Sequence, residues 1–340
     1  MLLSIIVPAY KVEGYIERCI RSLEDQDLSK EQYEIIITND GSPDRCKEIV
    51  ESLQDEFPNI ILINQENQGV SMARNNAMAI AKGKYILPID PDDYVVPNSF
   101  IKIINQAVTN GLDVLILNYE IFDINNKKTW ESDFNKFTDK TYENLTPFFY
   151  STGHSMRDPD RTVAMLFKRL FLEKNNIVYP RDIPALEDGL FLGKVFCLID
   201  KYAFSNGRFY LRTTRPGSAT NSTLFFSTKA LDGFINAAVD MRNFFNENTY
   251  RITGDKITLA HLTINKFVLT AMALAIGSKK RAVINNVNKQ LKINGFARLY
   301  SGKFRVPYNF FVKAYNTSVY LFIVSYYIFS RVDFCIRKLK

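Results

Sequence analysis

Short apolar runs alternate with helical periodicities through the first 120 residues of the chain. Four runs rich in Ile and Val, each bounded by polar or turn residues, predict buried parallel strands at residues 3–7, 33–38, 60–63 and 85–89. Between and after them, apolar residues recur at helical spacing, as in the stripe of Phe100, Ile103, Ile104, Ala107 and Val108. Repeated strand–helix units of this kind predict an α/β fold with a mostly parallel sheet flanked by helices.

The pattern changes twice further along the chain. Residues 120–225 are mixed, with aromatic and charged residues crowded together. From residue 228 the spacing becomes helical, with predicted helices near 231–244 and 257–274. We therefore expect an α/β domain over residues 1–225, a helical region over 226–300 and a separate C-terminal segment over 301–340.

The residues that follow the predicted strands indicate where a ligand would bind, because open α/β sheets bind ligands at the carboxyl ends of their strands. These residues are Pro8 and Tyr10, then 39–42 (Asn-Asp-Gly-Ser), and finally 90–93 (Asp-Pro-Asp-Asp). Taken alone, the second group is also typical of a loop in which Ser42 caps a helix. The third group alone is also typical of an acidic turn.

The net charge of +7 is unevenly distributed. Residues 279–340 hold 13 Lys and Arg and one acid, a net of +12, whereas residues 1–278 carry a net of −5. Four cysteines without a CxxC pair and only two histidines argue against a zinc ribbon, a disulfide framework and a His-rich metal site. The acidic body also argues against nucleic acid as a partner.

Asp90, Asp92 and Asp93 favour a hard divalent cation. Three carboxylates this close repel one another unless a cation lies between them. Oxygen ligands without His or Cys suit Mg²⁺ or Mn²⁺, and such ions complete their coordination with substrate phosphates. Because neither a Walker loop nor GxGxxG follows the first strand, the sequence predicts a nucleotide held by side chains rather than a kinase or a dinucleotide oxidoreductase.

Five motifs in order resemble the family 2 glycosyltransferases with the GT-A fold, over about residues 1–225. They are SIIVPAY at 4–10, NDGSPD at 39–44, QGVSMARN at 68–75, AKGKYI at 81–86 and DPDD at 90–93. The resemblance implies a Rossmann-like GT-A domain with a nucleotide-binding part at 1–118 and an acceptor and catalytic part at 119–225.

The resemblance also implies roles for individual residues near the donor. Pro8 and Tyr10 would line the base and ribose pocket, and Asp40 would read the N3–H of a pyrimidine. Arg74 would lie near the diphosphate. Asp90 and Asp92 would meet the sugar nucleotide and the metal, with Asp93 adjoining them. Glu13 matches a frequent Glu of the family for which the motif assigns no role.

Three residues further along match the family less fully. By resemblance, Asp188 would be the general base and Glu187 a supporting residue, although two acids in a first helical turn are also favoured by the helix dipole alone. Arg215 would face the diphosphate, or else be a solvated arginine.

Together these expectations describe an inverting, metal-dependent hexosyltransferase that uses Mn²⁺ or Mg²⁺. It would move a sugar from a nucleotide-sugar donor, a UDP-sugar by resemblance, to a glycan or lipid-linked glycan in surface polysaccharide synthesis. The alternative is a non-catalytic scaffold with the same fold that binds membrane or partner proteins through its basic tail.

Residues 301–340 hold 11 of the 45 aromatic residues of the chain. Aromatics interleaved with Lys and Arg are typical of a membrane interface, and they also suit a helix that packs on the protein. The longest apolar run near this end, 319–329, is 11 residues, short of the roughly 20 that a spanning helix needs. We therefore expect a cytoplasmic protein held at the inner face of the cell membrane.

Overall fold

The computed structural model describes residues 1–138, 140–146, 161–181, 183, 186–214, 227–302 and 306–338. The chain divides into two compact units. The described part of the first unit comprises 1–138, 140–146, 161–181 and 198–214, and that of the second comprises 183, 186–197, 227–302 and 306–338.

The first unit contains the strands and most of the shorter helices. Its strands are β1 (Leu3–Ala9), β2 (Tyr33–Asp40), β3 (Ile60–Gln65), β4 (Tyr85–Pro88), β5 (Tyr94–Val95), β6 (Val114–Ile116), β7 (Tyr119–Phe122), β8 (Lys128–Glu131), β9 (Thr141–Tyr142), β10 (Met165–Lys168), β11 (Tyr202–Phe204) and β12 (Tyr210–Thr213). Its helices are α1 (Ile16–Glu24), α2 (Cys46–Glu56), α3 (Val70–Ile80), α4 (Phe100–Thr109) and α5 (Arg169–Lys174).

The main sheet has the order β3-β2-β1-β4-β10-β6-β11-β9 among the described strands. Neighbouring pairs among β1–β4 are parallel, as are β6 and β11, whereas β10 lies antiparallel between β4 and β6. Every residue of β1 and β2 is buried, which explains why these strands are continuous apolar runs rather than alternating ones. The predicted α/β fold with a mostly parallel sheet is confirmed.

A smaller sheet has the order β5-β12-β7-β8. Its edge strand β5 follows β4 in the chain, and its strand β12 contributes residues to the candidate site. In it β12 pairs parallel with β7 and antiparallel with β5. The strand β8 is exposed along its whole length and pairs with β7 across a register irregularity.

The second unit is helical in its described residues. Its helices are α6 (Glu187–Leu198), α7 (Thr228–Glu247), α8 (Asp255–Gly277), α9 (Arg281–Ile293), α10 (Val306–Thr317) and α11 (Val319–Lys338). Gly193 allows α6 to approach α8 closely, since a Cβ there would lie 2.8 Å from Thr263 Cγ2. The helical C-terminal region that the sequence predicts is thus present.

One helix of the described chain, α8, is long and apolar enough to cross a membrane by length and composition. Of its most apolar window, 72% is buried inside the protein. It packs against α7 and α9, as expected for a core helix of the second unit.

The prediction that Ser42 caps a helix is wrong. Helix α2 begins only at Cys46, and the residue before it is Arg45. The Ser42 hydroxyl instead donates to Asp44 Oδ1 at 2.5 Å and accepts from the backbone N–H of Lys11 at 2.7 Å. Ser42 therefore joins the loops after β1 and β2 rather than ending a helix.

Candidate active site

Three carboxylates gather just after β4. One oxygen from each of Asp90, Asp92 and Asp93 lies within 4.8 Å of the other two. Asp90 and Asp92 are partly buried, whereas Asp93 is only 3% exposed. The clustering that the sequence predicts is therefore present, but its members meet different surroundings.

Asp93 points into the protein. Its Oδ2 accepts a hydrogen bond from the Tyr210 hydroxyl at 2.7 Å, and its Oδ1 accepts from the backbone N–H of Thr213 at 3.0 Å. Burial raises the pKa of Asp93 well above its usual range, and the neighbouring Asp90 and Asp92 carboxylates raise it further. Since both oxygens have donors, Asp93 is tied to β12, and Asp90 and Asp92 are left as the more accessible carboxylates.

Two further side chains hold this acidic loop. The backbone N–H of Asp90 donates to the Tyr210 hydroxyl at 3.2 Å. Arg18 on α1 donates from Nη2 to the carbonyl of Asp92 at 2.8 Å and to Thr213 Oγ1 at 3.2 Å. Sequence reasoning missed Arg18 altogether and gave Tyr210 no role at the acidic loop, because no local pattern connects either residue to it.

Arg74 on α3 reaches the cluster. It is 4% exposed, and its Nη2 donates to Asp90 Oδ1 at 2.9 Å. Its guanidinium lies 5.1 Å from the centre of the Tyr179 ring, and Asn75 fixes Tyr179 by bonding to both its backbone N–H and its carbonyl. The structure thus places a buried, fixed positive charge beside Asp90.

Asp40, at the end of β2, orders the loop that leads into α3. Its Oδ1 accepts from Gln65 Nε2 at 2.7 Å and from the backbone N–H of Gln68 at 2.8 Å. Its Oδ2 accepts from the backbone N–H of Gly69 at 2.9 Å. Asp40 is 3% exposed, and its carboxylate holds the backbone of this loop at the carboxyl edge of the sheet.

Residues at the end of β1 lie at the same sheet edge. Pro8 is a buried residue of β1 opposite Thr38 of β2, and Tyr10 follows and is 42% exposed. Glu13 accepts from the backbone N–H of Arg45 at 3.0 Å, and its own N–H donates to Asp44 Oδ2 at 2.9 Å. Glu13 therefore links the loops after β1 and β2, a role that its sequence position alone did not reveal.

The Asp44 carboxylate strengthens that link. Burial on its own would raise the pKa of Asp44, but hydrogen bonds from Cys46, Ser42 and the backbone N–H of Glu13 outweigh burial and lower the pKa to about 2. Asp44 is therefore ionised at neutral pH and holds both loops.

Comparison with known proteins identifies the first unit. The family model "Glycosyl transferase family 2" matches residues 4–171, which include β1–β4 and the acidic cluster. This region is a family 2 glycosyltransferase domain. The recognition made from the five motifs is confirmed.

Two curated bacterial relatives are similar over about three fifths of this chain. An uncharacterised glycosyltransferase of Bacillus subtilis, EpsJ, is 33% identical over 222 residues, which are 64% of this chain and 63% of that protein. A poly(ribitol-phosphate) beta-glucosyltransferase of Bacillus spizizenii is 30% identical over 207 residues, which are 60% of this chain and 31% of that protein. The chain thus spans less than two thirds of the length of these relatives.

Solved structures extend the similarity to the helical unit. Residues 1–349 of S. aureus TarS, in complex with UDP-GlcNAc, match with a TM-score of 0.63 at 18% identity, covering 97% of this chain and 92% of that one. A mannosyltransferase of Pyrobaculum calidifontis in complex with GDP-Man and Mn²⁺ has a TM-score of 0.50 at 13% identity, covering 96% and 86%. At such identities these matches establish the fold alone, which is the predicted GT-A fold followed by a helical region.

The carboxylate oxygens of the acidic cluster are suitable ligands for a divalent ion. Asp90 and Asp92 offer oxygen ligands without His or Cys, which is the chemistry that Mg²⁺ and Mn²⁺ prefer. Asp93 belongs to the same group, but the hydrogen bonds to both of its oxygens make it the less available member.

The remaining predicted residues are Glu187, Asp188 and Arg215. Glu187 and Asp188 occupy the first turn of α6, which belongs mainly to the second unit, and both are half-buried. Their position in a first turn fits a general base and fits acids favoured by the helix dipole. Arg215 lies outside the described residues.

Proposed function

We propose that this protein is a metal-dependent hexosyltransferase that moves a sugar from a UDP-sugar to a glycan or lipid-linked glycan during surface polysaccharide synthesis. The observation that carries the proposal is the cluster of Asp90 and Asp92 beside the buried Arg74, at the carboxyl edge of a glycosyltransferase sheet. Two negative groups and one fixed cation suit a metal-bound diphosphate, because they can meet both the ion and the phosphate oxygens.

Asp90 and Asp92 would hold the divalent ion, Mn²⁺ or Mg²⁺. When bound, such an ion supplies positive charge to the oxygens of the leaving nucleoside diphosphate. Arg74 contributes in the same direction from a position that Asp90 and Tyr179 already fix, so little reorganisation is needed during the reaction. Asp93, Tyr210 and Arg18 keep the acidic loop in place.

Asp188 would be the general base, with Glu187 supporting it. An acceptor hydroxyl is a poor nucleophile, so a carboxylate must take its proton as it attacks the sugar. Attack from the face opposite the diphosphate is a single displacement, which inverts the anomeric centre. The nucleoside would be held by Pro8, Tyr10 and Asp40, and the diphosphate by Arg215. Glu13 would fix the loops after β1 and β2.

The choice of donor and acceptor is supported by the relatives. The TarS structure with UDP-GlcNAc supports a uridine nucleotide. The Bacillus spizizenii relative is named for transfer to poly(ribitol-phosphate), which supports a cell-surface polymer as the acceptor class. Because a lipid-linked acceptor would lie at the membrane, we place the protein in the cytoplasm, at the inner membrane face, with residues 301–340 as the contact.

The test of the base is Asp188→Asn compared with Asp255→Asn. Asp255 is also an acid in the first turn of a helix, α8, so it reproduces the helix-dipole effect without a catalytic role. We expect Asp188→Asn to abolish transfer while UDP affinity stays within about threefold, which is about half of the roughly 1.4 kcal/mol that a tenfold change represents. Equal, small losses of stability in both variants with transfer intact would contradict the assignment.

A scaffold that retains the fold without catalysis is the second candidate, favoured by the exposed apolar residues of α11. Release of UDP from UDP-sugars in the presence of Mn²⁺ separates the two functions. Asp92→Asn should lose this release. Wild-type protein that releases no nucleotide from any donor, with or without acceptors, would favour the scaffold.

A further inference from the structure

Helix α11 presents an apolar face to solvent. Tyr320, Leu321, Val324 and Ile328 are 75%, 46%, 54% and 60% exposed. At 3.6 residues per turn these positions fall within an arc of about 100° on one side of the helix. We call these four residues the outer face of α11.

The opposite side of the helix accounts for its attachment to the protein. Phe322 is 1% exposed, and its ring lies 6.0 Å from that of Phe311 and 5.9 Å from that of Tyr315 on α10. The helix is therefore already docked through one side, and the outer face is not needed for that docking. Several large apolar side chains on one exposed face are characteristic of an interaction surface.

The net charge of the C-terminal segment selects the partner of this face. Residues 301–340 hold seven Lys and Arg and one acid, and Lys313 on α10 is exposed. A second copy of this chain would bring the same positive charge against itself, which opposes association through this surface. A membrane containing anionic lipids offers both an apolar interior and the opposite charge.

The length of the apolar stretch fixes how the helix would meet the membrane. The apolar part of α11, Val319–Phe329, is about half of what a spanning helix requires. Tyr320 also has an amphipathic ring, which suits the level of the headgroups. We propose that α11 lies flat in the surface of an anionic membrane, with its outer face inserted among the lipids.

Membrane binding by α11 rests on the proposed function for its biological role. It adds to that function the kind of lipid surface and the residues that enter it. Vesicle binding needs neither donor nor acceptor. A failure of vesicle binding would therefore not contradict the transferase assignment. A failure of transfer would not contradict the proposal that the outer face of α11 binds membranes.

The test uses the full chain and flotation with vesicles. The vesicles contain phosphatidylcholine alone or phosphatidylcholine mixed with phosphatidylglycerol. The variant Leu321→Ser/Val324→Ser/Ile328→Ser is compared with Ile124→Ser/Leu170→Ser/Ile293→Ser, which removes three aliphatic side chains that are 70%, 58% and 66% exposed elsewhere. We expect the first variant to bind anionic vesicles at least about tenfold more weakly than wild type, and the second to bind as wild type does.

Salt and fluorescence provide independent readouts. Raising the salt from about 0.1 M to 1 M should weaken wild-type binding, because the Debye length falls from about 10 Å to 3 Å. In a Val324→Trp variant, the tryptophan emission should shift to the blue with anionic vesicles and not with phosphatidylcholine alone.

Three results would overturn the proposal. They are wild-type protein that does not float with anionic vesicles, an outer-face variant that floats as well as wild type, and equal binding to neutral vesicles. Loss of a dimer in the outer-face variant, with no vesicle binding by wild type, would assign the face to self-association instead.

Discussion

Asp92 and Asp93 are adjacent in the sequence but differ in how deeply they are buried. Asp92 is partly buried within the acidic cluster, whereas Asp93 is buried and bonded through both oxygens to Tyr210 and Thr213. Moreover, Tyr210 bonds to the backbone of Asp90, so one hydroxyl fixes the two ends of the acidic loop. The position of the proposed metal ligands Asp90 and Asp92 therefore depends on Tyr210, which lies outside the acidic loop.

Tyr210→Phe tests this dependence. Removing the hydroxyl leaves a buried Asp93 oxygen and the Asp90 N–H without that partner, which should lower the free energy of unfolding by about 1–3 kcal/mol. We further expect the Mn²⁺ concentration for half-maximal transfer to rise. Denaturant unfolding and metal titration of the transfer rate measure the two effects.

Tyr85→Phe is the matched control. The Tyr85 hydroxyl is also buried and donates to the carbonyls of Ala107 and Leu112, at the start of β4 rather than beyond its end. Its loss should cost similar stability and leave the metal dependence unchanged. If both variants shift the metal dependence equally, Tyr210 has only a general structural role.

At the scale of elements, the turn after β2 depends on a close approach of two backbone segments. Gly41 has a φ of +63°, and a Cβ there would lie 2.8 Å from the backbone nitrogen of Asn67. Asp40 holds this same loop through its bonds to Gln68 and Gly69. The turn and the loop before α3 therefore behave as one element.

Gly41→Ala should disturb that element. The left-handed backbone costs about 1–2 kcal/mol for any residue with a Cβ, and the clash with Asn67 adds to it. Gly111→Ala is the control, because Gly111 has a φ of +62° and no atom within 4 Å of its Cβ position. We expect Gly41→Ala to lose more stability in urea and to weaken UDP binding, while Gly111→Ala keeps normal UDP affinity.

The elements that the sequence predicts well are those whose pattern is local. Strands β1 and β2 are buried along their whole length, so their apolar runs stand out. The strand β8 is exposed throughout, and β10 enters the sheet between β4 and β6 by pairing with distant segments. No local periodicity encodes either feature, and the mixed pattern of residues 120–225 gave no strand there.

In the candidate site, too, the sequence predicts the residues that lie in local motifs and not the contacts between distant segments. The acidic residues and Arg74 carry motifs in their own neighbourhoods, so the sequence alone singled them out. Asp93 meets Tyr210 across 117 residues of chain, and Arg18 reaches Asp92 across 74. Such contacts depend on how the sheets pack, which is why the tie between Asp93 and β12 emerged only from the structure.

At the scale of the whole molecule, the charge is divided between an acidic body and a basic end. Residues 1–278 have a net charge of −5, and residues 279–340 have +12. A diphosphate that approaches the acidic cluster would be repelled by the carboxylates. In the described site, the buried cation beside Asp90 is Arg74. We therefore expect the binding of a nucleoside diphosphate to depend on the binding of a divalent ion.

The coupling can be measured as ligand-induced stability of the full chain. With Mn²⁺ present, UDP at 100 times its dissociation constant should stabilise the protein by about 2.7 kcal/mol, because it binds the folded state alone. In EDTA, the same UDP concentration should stabilise it far less, since the acidic cluster then repels the diphosphate. Uridine, which has no phosphate, should give the same small shift in both conditions. Equal stabilisation by UDP in EDTA and in Mn²⁺ would show that Asp90 and Asp92 do not bind the donor through a metal.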